Sequence, residues 1–291
     1  MPAPRQTLAD LTRRQGAPVQ TFTFDPTQAQ VLHTLGGATI RINDNLLVRP
    51  DNSLPVGPVR LQVQEVYTPA QMVLTNLATQ ARGGGLLESG GMFNIRAYEG
   101  STRLKVRSGW SAVFSVSWPV PPRVSADLQN DMLTWALAGS DPDSLAWIPV
   151  ADSISGPIAI WPSTDSSTWV RSFTTVLWPD TLGWLNCDAY WQNPTPPVVA
   201  RIDVGGIMAG TRLFLIPTAR NGAFRLYWNA STQQAEQYVP AGLECTAVVL
   251  REIDGQLFFG SQRATVQDGF VYRPRLEALS EDEIVRRLRE L

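Results

Sequence analysis

The amino-acid sequence predicts an all-β protein: two to three consecutive β-sandwich domains followed by a short C-terminal α-helix. Short runs of alternating apolar and polar residues recur along the chain, which is the pattern of strands buried on one face. Asn-Gly at 221–222 and Asp-Gly at 254–255 separate such runs, and these dipeptides strongly favour β-hairpins. The length of 291 residues suits domains of roughly 100 residues each.

The positions of strands and breakers divide the chain into five parts. They are an N-terminal arm at 1–20, a first β-sandwich at 21–109, a Trp- and Pro-rich β region at 110–196, an antiparallel β-sandwich at 197–276 and a C-terminal helix at 277–291. In the arm, Leu8 and Leu11 favour a short helical turn before Gly16.

Two strands at 59–66 and 92–98 are the clearest elements of the first sandwich. Apolar and polar residues alternate in both, so that each strand buries one face. The connection between them is polar and glycine-rich, and it contains no histidine and no cysteine. This composition is typical of a recognition module and not of a catalytic pocket.

Within that connection, Thr68 as N-cap and Pro69 at the first helical position predict one helical turn. Residues 73–80 either continue this helix or form a strand or short loop, and we favour the strand or loop. Glycines at 83–85 and 90–91 predict interruptions of regular structure.

Nine of the ten tryptophans lie between residues 110 and 191. Tryptophan buries a large apolar area, and its ring also stacks on sugars and on partner proteins. We therefore name Trp161, Trp169 and Trp178 as candidate interaction residues, with core filling as the alternative. The segment 127–139 fits either a helix or a strand.

The last residues predict an amphipathic helix. Ser280 and Glu283 have the spacing of a capping box, and Ile284, Leu288 and Leu291 form an apolar stripe. The stripe either packs back on its own domain or docks on a neighbouring subunit, and we name its three residues as candidate interaction residues.

The sequence offers little catalytic chemistry. His33 is the only histidine, which excludes a multi-histidine zinc site and leaves no Ser-His-Asp or Cys-His set. Acids such as Glu65 and Asp141 leave a hydrolase as the least favoured interpretation. Cys187 and Cys245 lie in apolar strand-like text, which favours buried free thiols. We predict no catalytic residue, no cofactor and no metal site.

Charge and hydropathy limit the partners. The formal net charge of −2 gives no electrostatic basis for binding nucleic acid. No apolar run approaches the ~20 residues that span a bilayer, which argues against direct membrane insertion. The N-terminus has no hydrophobic core of a signal peptide. We expect cytoplasmic synthesis with incorporation into a particle, or a cell-surface location if a signal has been removed.

Two segments carry a family resemblance. The text GPVRLQVQEVYTPAQMVLTNLATQ followed by GGGLLESGGMFNIRAY, at 57–98, and LGWLNCD, at 182–188, resemble bacterial β-sandwich proteins of unknown function that are common at the surface of Bacteroidetes. Those proteins are similar to the ZU-five domain of ankyrins and netrin receptors. The resemblance implies that 21–109 is a ZU-five-like protein-interaction module.

Together these observations predict a non-enzymatic structural or protein-interaction protein. Its partners are other proteins or further copies of itself, in a larger assembly such as a phage-like or contractile particle or a cell-envelope scaffold. A surface glycan-binding module is the alternative.

Overall fold

Antiparallel β-sheets form most of the regular structure, which confirms the all-β prediction. The computed structural model describes residues 6–108, 114–127, 131–138, 146–150, 161–162, 171–177, 182–191, 195–206 and 209–291. Within these ranges the helices are α1 Leu8–Gln15, α2 Pro69–Thr75 and α3 Glu281–Arg289.

The strands before residue 196 are β1 Gln20–Phe24, β2 Gln30–His33, β3 Thr39–Ile42, β4 Leu47–Val48, β5 Val59–Val66, β6 Leu87–Glu99, β7 Thr102–Arg103, β8 Lys105–Val106, β9 Phe114–Pro119, β10 Leu133–Ala138, β11 Ala146–Pro149, β12 Trp161–Pro162, β13 Arg171–Leu177 and β14 Trp184–Tyr190. The strands after it are β15 Pro197–Ile202, β16 Thr211–Pro217, β17 Phe224–Arg225, β18 Tyr227–Asn229, β19 Gln234–Pro240, β20 Glu244–Ile253, β21 Gln256–Thr265, β22 Val271–Tyr272 and β23 Glu277–Ala278.

Strands β1 to β14 form two large sheets that share one core, except β4 and β8, which pair only with each other. Sheet 1 has the order β1-β5-β6-β14-β10-β11, with β7 paired to the end of β6, and sheet 2 has the order β12-β13-β9-β3-β2. The pairs β6–β14 and β3–β9 each join a strand before residue 109 to one after it. The predicted separation of 21–109 from 110–196 is therefore wrong, because hydrogen-bonded pairing crosses that border in both sheets.

Large side chains from the two sheets fill the core between them. Leu61 and Phe93 come from sheet 1, and Ile40, Trp118 and Phe173 come from sheet 2. The rings of Phe93 and Trp118 meet edge to face with their centroids 4.8 Å apart. Full burial of an apolar side chain of this size contributes roughly 1.5–3 kcal/mol, so this core holds the two predicted regions together.

Residues 197–278 form a second sandwich, whose last strand, β23, lies just beyond the predicted border at 276. Sheet 3 has the order β18-β19-β15-β22, and sheet 4 has the order β17-β16-β20-β21-β23. Their shared core contains Leu215, Phe224 and Tyr272. The pairing is antiparallel as predicted, except that β15 and β22 lie parallel.

A third core joins the two sandwiches. All three helices contribute to it, together with Trp135 and Trp147 from sheet 1 and Phe214 and Phe259 from sheet 4. Because Leu213 and Leu215 face the core of the second sandwich while Phe214 faces the helices, sheet 4 is buried on both sides. The order of layers is sheet 2, sheet 1, helices, sheet 4 and sheet 3.

Local sequence patterns predicted the position of several helices and strands correctly. β5 has the predicted bounds, and α2 begins at Pro69 with a complete capping box in which the Thr68 side chain accepts a hydrogen bond from the Gln71 backbone N–H. α1 contains the predicted Leu8 and Leu11, both buried. The segment 127–139, predicted as helix or strand, contains β10.

Two predictions near the glycine-rich connection are wrong. α2 continues to Thr75, into the segment 73–80, so the alternative of a continued helix holds there and the favoured strand or loop does not. β6 begins at Leu87 and not at 92, so the glycines at 90–91 lie within a strand. These glycines do not interrupt the strand, because they are needed where aromatic rings approach the backbone closely.

Cutting the chain at the predicted border tests the shared sheets. A fragment of residues 1–108 lacks β9, β13 and β14, so that Ile40, Leu61 and Phe93 lose most of their neighbours in the core. We expect the fragment to be unfolded or aggregated by near-UV circular dichroism and proton NMR, with the full chain as the folded reference. A fragment with dispersed resonances and a cooperative melt would contradict the shared core.

Candidate functional site

The start of β6 and the facing part of β14 carry a group of buried polar side chains. Ser89 pairs with Asp188 and Glu88 with Ala189 across the two strands, next to a bulge between Asn186 and Asp188. Glu88, Ser89 and Asp188 are at most 1% exposed. Polar groups that are buried this completely require hydrogen-bond partners. We call the six residues of this group the buried junction: Glu88, Ser89, Asn186, Asp188, Arg220 and Asn221.

Glu88 is the anionic centre of the buried junction. Its Oε1 accepts a hydrogen bond from the Ser125 backbone N–H at 2.5 Å, and its Oε2 accepts from Ser125 Oγ at 3.1 Å and from Arg220 Nη1 at 2.9 Å. The Arg220 guanidinium also contacts Asp127 at 3.3 Å and lies over the Trp191 ring. Burial alone would lower the pKa of Arg220, but the hydrogen bonds and charges of Glu88 and Asp127 raise it. The ion pair ties sheet 1 to the loop between β16 and β17.

Asp188 has a different environment. One carboxyl oxygen accepts a hydrogen bond from Asn186 Nδ2, while Oδ1 has no partner among the described residues. Burial raises the pKa of Asp188 well above its usual range, the Ser89 hydroxyl lowers it, and the negative charge of Glu88 raises it further. The structure therefore favours the neutral acid at this position.

The two glycines after Ser89 make room for aromatic rings. A Cβ on Gly90 would lie 2.7 Å from Phe173 Cε2, and one on Gly91 would lie 2.9 Å from Trp118 Nε1. Gly91 also has a φ of 137°, which side-chain-bearing residues rarely adopt. Trp118 Nε1 donates a hydrogen bond of 2.7 Å to the Gly90 carbonyl. The Gly-Gly step is thus a close approach inside a strand and not a break.

Asn221 inserts the β16–β17 loop into the buried junction. Its Nδ2 donates to the carbonyls of Ser89 at 2.6 Å and Tyr67 at 2.9 Å, and its own carbonyl accepts from the Ser89 N–H at 2.8 Å. The Asn-Gly hairpin loop predicted from the sequence is present between β16 and β17, and it also connects the two sandwiches.

Glu65 forms a second buried anchor, near the turn between β2 and β3. Its carboxylate accepts hydrogen bonds from Thr34 Oγ1 and Gln20 Nε2 at 2.6 Å, from Tyr67 Oη at 2.7 Å and from the Gly36 N–H at 3.1 Å. Burial and the neighbouring carboxylate raise the pKa of Tyr67. The bonds from Thr34 and Gly36 hold the turn against β5, which is a structural use of the acid.

The structure describes some of the candidate interaction residues named from the sequence. The backbone of Trp161 lies in β12, while its side chain and all of Trp169 and Trp178 are outside the described residues, as is Asp141. Ile284 and Leu288 are buried in the core between the sandwiches, and Leu291 packs against it. The apolar stripe of α3 therefore covers the chain's own core, which corrects the docking interpretation.

Three tryptophans that the structure describes fill cores. Trp118, Trp135 and Trp147 are at most 1% exposed, and each indole N–H donates to a backbone carbonyl. The sequence reasoning missed the exposed aromatics Tyr227 and Tyr238. The sequence pattern could have indicated their exposure, because both tyrosines fall at positions where the alternation of their strands places polar residues.

The described residues contain little that could bind a small ligand internally. An enclosed cavity of about 10 Å³ next to Trp118 and Cys187 is about the size of one water molecule. Within the described ranges no three His, Cys, Asp or Glu side chains gather as metal ligands, and none of the helices there is long and apolar enough to cross a membrane. Cys187 and Cys245 are buried and unbonded, as expected, and burial raises the pKa of both thiols.

Comparison with known proteins finds no family model that matches this chain and no match among curated proteins. The ZU-five-like resemblance therefore stays a prediction.

Arg220→Met tests the ion pair of the buried junction. The substitution leaves Glu88 buried without its cation, so we expect the free energy of unfolding in urea to fall by about 3 kcal/mol. Arg263→Met is the matched control, because Arg263 pairs with Glu244 at the surface with side chains 59% and 48% exposed; there we expect a loss below about 1 kcal/mol. Equal losses for both variants would contradict a special role of Arg220.

Asp188→Asn tests the neutral acid. Because burial raises the folded-state pKa, the folded protein keeps this proton to higher pH than the unfolded chain does. Wild-type stability is then lost as pH rises from about 4 towards the folded pKa, by up to about 1.4 kcal/mol per pH unit. Asparagine does not titrate, so the variant should gain relative to wild type over that range in urea unfolding.

Asp25→Asn is the control for that series. Hydrogen bonds from Thr27 lower the pKa of Asp25, so its contribution is fully present above the unfolded pKa and is lost only as pH falls. Its difference from wild type should stay constant between about pH 5 and about pH 8. A constant difference for Asp188→Asn as well would show that Asp188 is ionised in the folded protein.

Proposed function

We propose that this protein is a non-enzymatic structural or protein-interaction protein that acts as a subunit of a larger assembly. The observation that carries the proposal is the use of its buried acids. Glu65, Glu88 and Asp188 are at most 5% exposed, and the hydrogen bonds of Glu65 and Glu88 join separate segments of the chain. A substrate would have to open the fold to reach them, so these acids support a framework role.

The outer face of sheet 3 supports the contact part of the proposal. Tyr227 and Tyr238 lie on it with 44% and 66% of their surface exposed. The register places Tyr227 beside Glu236 and Tyr238 beside Val199. Exposed tyrosines on a rigid sheet are typical of protein contacts, because they bury much area at low cost in side-chain entropy.

Charged groups on the same face are fixed. Glu236 accepts hydrogen bonds from Arg201 at 3.0 Å, from Asn229 at 2.7 Å and from Thr232 at 2.8 Å. These bonds lower the pKa of Glu236, although its partial burial acts in the opposite direction. Protein interfaces commonly have an apolar centre surrounded by polar residues. The fixed Glu236 beside the two tyrosine rings fits this arrangement.

A phage-like or contractile particle, or a cell-envelope scaffold, is the setting that we propose, and the ZU-five-like text of the first sandwich supports an interaction role. Glycan binding is the second candidate, and the same two tyrosines favour it, because aromatic rings on a flat sheet stack on sugars.

Tyr238→Glu tests the proposed role of the sheet 3 face. We expect the wild-type chain to form oligomers in native mass spectrometry at micromolar concentration, and the variant to dissociate because a charge replaces the apolar contact. Leu35→Glu is the control, since Leu35 is 88% exposed in the turn between β2 and β3. A strictly monomeric wild type with no co-purifying partner would count against the assembly proposal. Glycan-array binding lost in Tyr238→Glu would favour the second candidate instead.

A further inference from the structure

One end of the outer face of sheet 1 carries cations that form no ion pair with an acid among the described residues. Arg60, Arg96, Tyr98 and Arg103 point outward there, because their neighbours Leu61, Ala97 and Leu104 are buried in the core between sheets 1 and 2, and the half-buried Lys105 follows in β8. Arg60, Arg96 and Arg103 are exposed. We call these five residues the basic face.

The strand register brings these side chains together. Arg60 pairs with Tyr98, and Tyr98 pairs with Arg103 on its other side. The three residues form a row across β5, β6 and β7, and neighbouring strands are about 4.8 Å apart. Arg96 lies two residues before Tyr98 on the same strand and face, about 7 Å away along β6.

No ion pair joins the four cations of the basic face to a carboxylate of the described residues. Arg60 lies over the Tyr98 ring at 5.0 Å, and Arg103 donates to the Leu182 carbonyl at 2.7 Å. The adjacent acid, Glu99, is bound to Arg49 at 2.6 Å and to the Val56 and Gly57 N–H groups at 2.8 and 2.9 Å. These bonds lower the pKa of Glu99 to about 2, so its charge is already balanced.

A surface cavity of about 290 Å³ opens beside Arg103 and Lys105. Pro50, Leu104 and Leu182 complete its lining, and none of the lining residues is acidic. Apolar walls with two cations suit a carboxylate group that brings a short aliphatic stem with it.

We propose that the basic face binds an extended acidic segment of a protein partner, with Asp or Glu at alternate positions. Alternate side chains of an extended chain repeat every ~6.8 Å, which matches the step from Arg96 to the row of Arg60, Tyr98 and Arg103. Guanidinium groups bind carboxylates through two parallel hydrogen bonds. The inference deepens the proposed function, on which it rests, by naming the chemistry of a partner.

The charge of the whole chain favours a peptide over nucleic acid. With a net charge of −2 and a face of four cations, the protein lacks the broad basic surface with which proteins commonly bind phosphate backbones. Arg60 covers part of the Tyr98 ring, which hinders the stacking of a base or a sugar.

The test uses fluorescence anisotropy with a labelled peptide of five Glu-Thr repeats and the full-length protein. We expect the wild type to bind at about 50 mM sodium chloride and to bind more weakly at about 300 mM, because salt screens surface charges. Arg60→Glu together with Arg96→Glu should weaken binding by about tenfold or more.

Arg41→Glu together with Arg82→Glu is the matched control. Both arginines are exposed and lie away from the basic face, Arg41 on sheet 2 and Arg82 in the loop before β6, and the pair changes the net charge equally. Circular dichroism confirms the fold of both double variants. Unchanged binding in the control together with loss in the basic-face variant supports the proposal.

Three results would overturn it: absent peptide binding by the wild type at about 50 mM salt, equal weakening in the two double variants, or tighter binding of single-stranded DNA or a heparin fragment than of the peptide. The oligomers expected in native mass spectrometry are a separate result. If they persist while peptide binding fails, the assembly role stands and the basic face is not its acidic-partner site.

Discussion

The Glu88–Arg220 ion pair is the interaction on which the arrangement of the two sandwiches depends. A carboxylate that is fully enclosed by protein carries a large desolvation cost unless a cation and further donors reach it. Sheet 1 contributes the acid, and the loop between β16 and β17 in the second sandwich contributes the cation. Neither sandwich alone satisfies this group, so the charge requires both to be in place.

The same loop explains why the start of β6 can be a strand at all. Asn221 bonds to both the carbonyl and the N–H side of Ser89 through its side chain and its own carbonyl, in the position that a neighbouring strand would otherwise occupy. Gly90 and Gly91 then let Phe173 and Trp118 approach the backbone from the other side. Polar contacts on one side and aromatic contacts on the other fix this segment, and the cores of both sandwiches meet there.

Local patterns in the sequence were sufficient for some elements and not for others. β5, the N-terminus of α2 and α3 follow from alternation and from caps within four residues, and the structure has them where the sequence puts them. The extent of β6 depends on Trp118, Phe173 and Asn221, which are far away in the chain, so its glycines looked like breaks. The false border near residue 109 has the same origin, because pairing of β6 with β14 has no local signature. The candidate site was not predicted as such: Glu88 and Ser89 lie in the segment that carries the ZU-five-like resemblance, but nothing in the sequence pointed to Arg220 as the partner of Glu88.

Ion pairs occur both in the buried junction and near the basic face. Arg220 lies inside, where its partner Glu88 is inaccessible. Arg49 lies near the surface and forms an ion pair with Glu99. The Glu99 carboxylate also accepts hydrogen bonds from the backbone N–H groups of Val56 and Gly57. Glu99 also lies on the opposite face of β6 from Tyr98, because it pairs with the buried Val59 and side chains alternate along a strand. In a chain with more acids than bases, Arg60, Arg96 and Arg103 thus share a face on which no described acid forms an ion pair with them. Strand alternation and the Arg49–Glu99 ion pair keep the nearest acid in sequence away from the basic face, and the positive charge of this face gives it an electrostatic preference for an acidic partner.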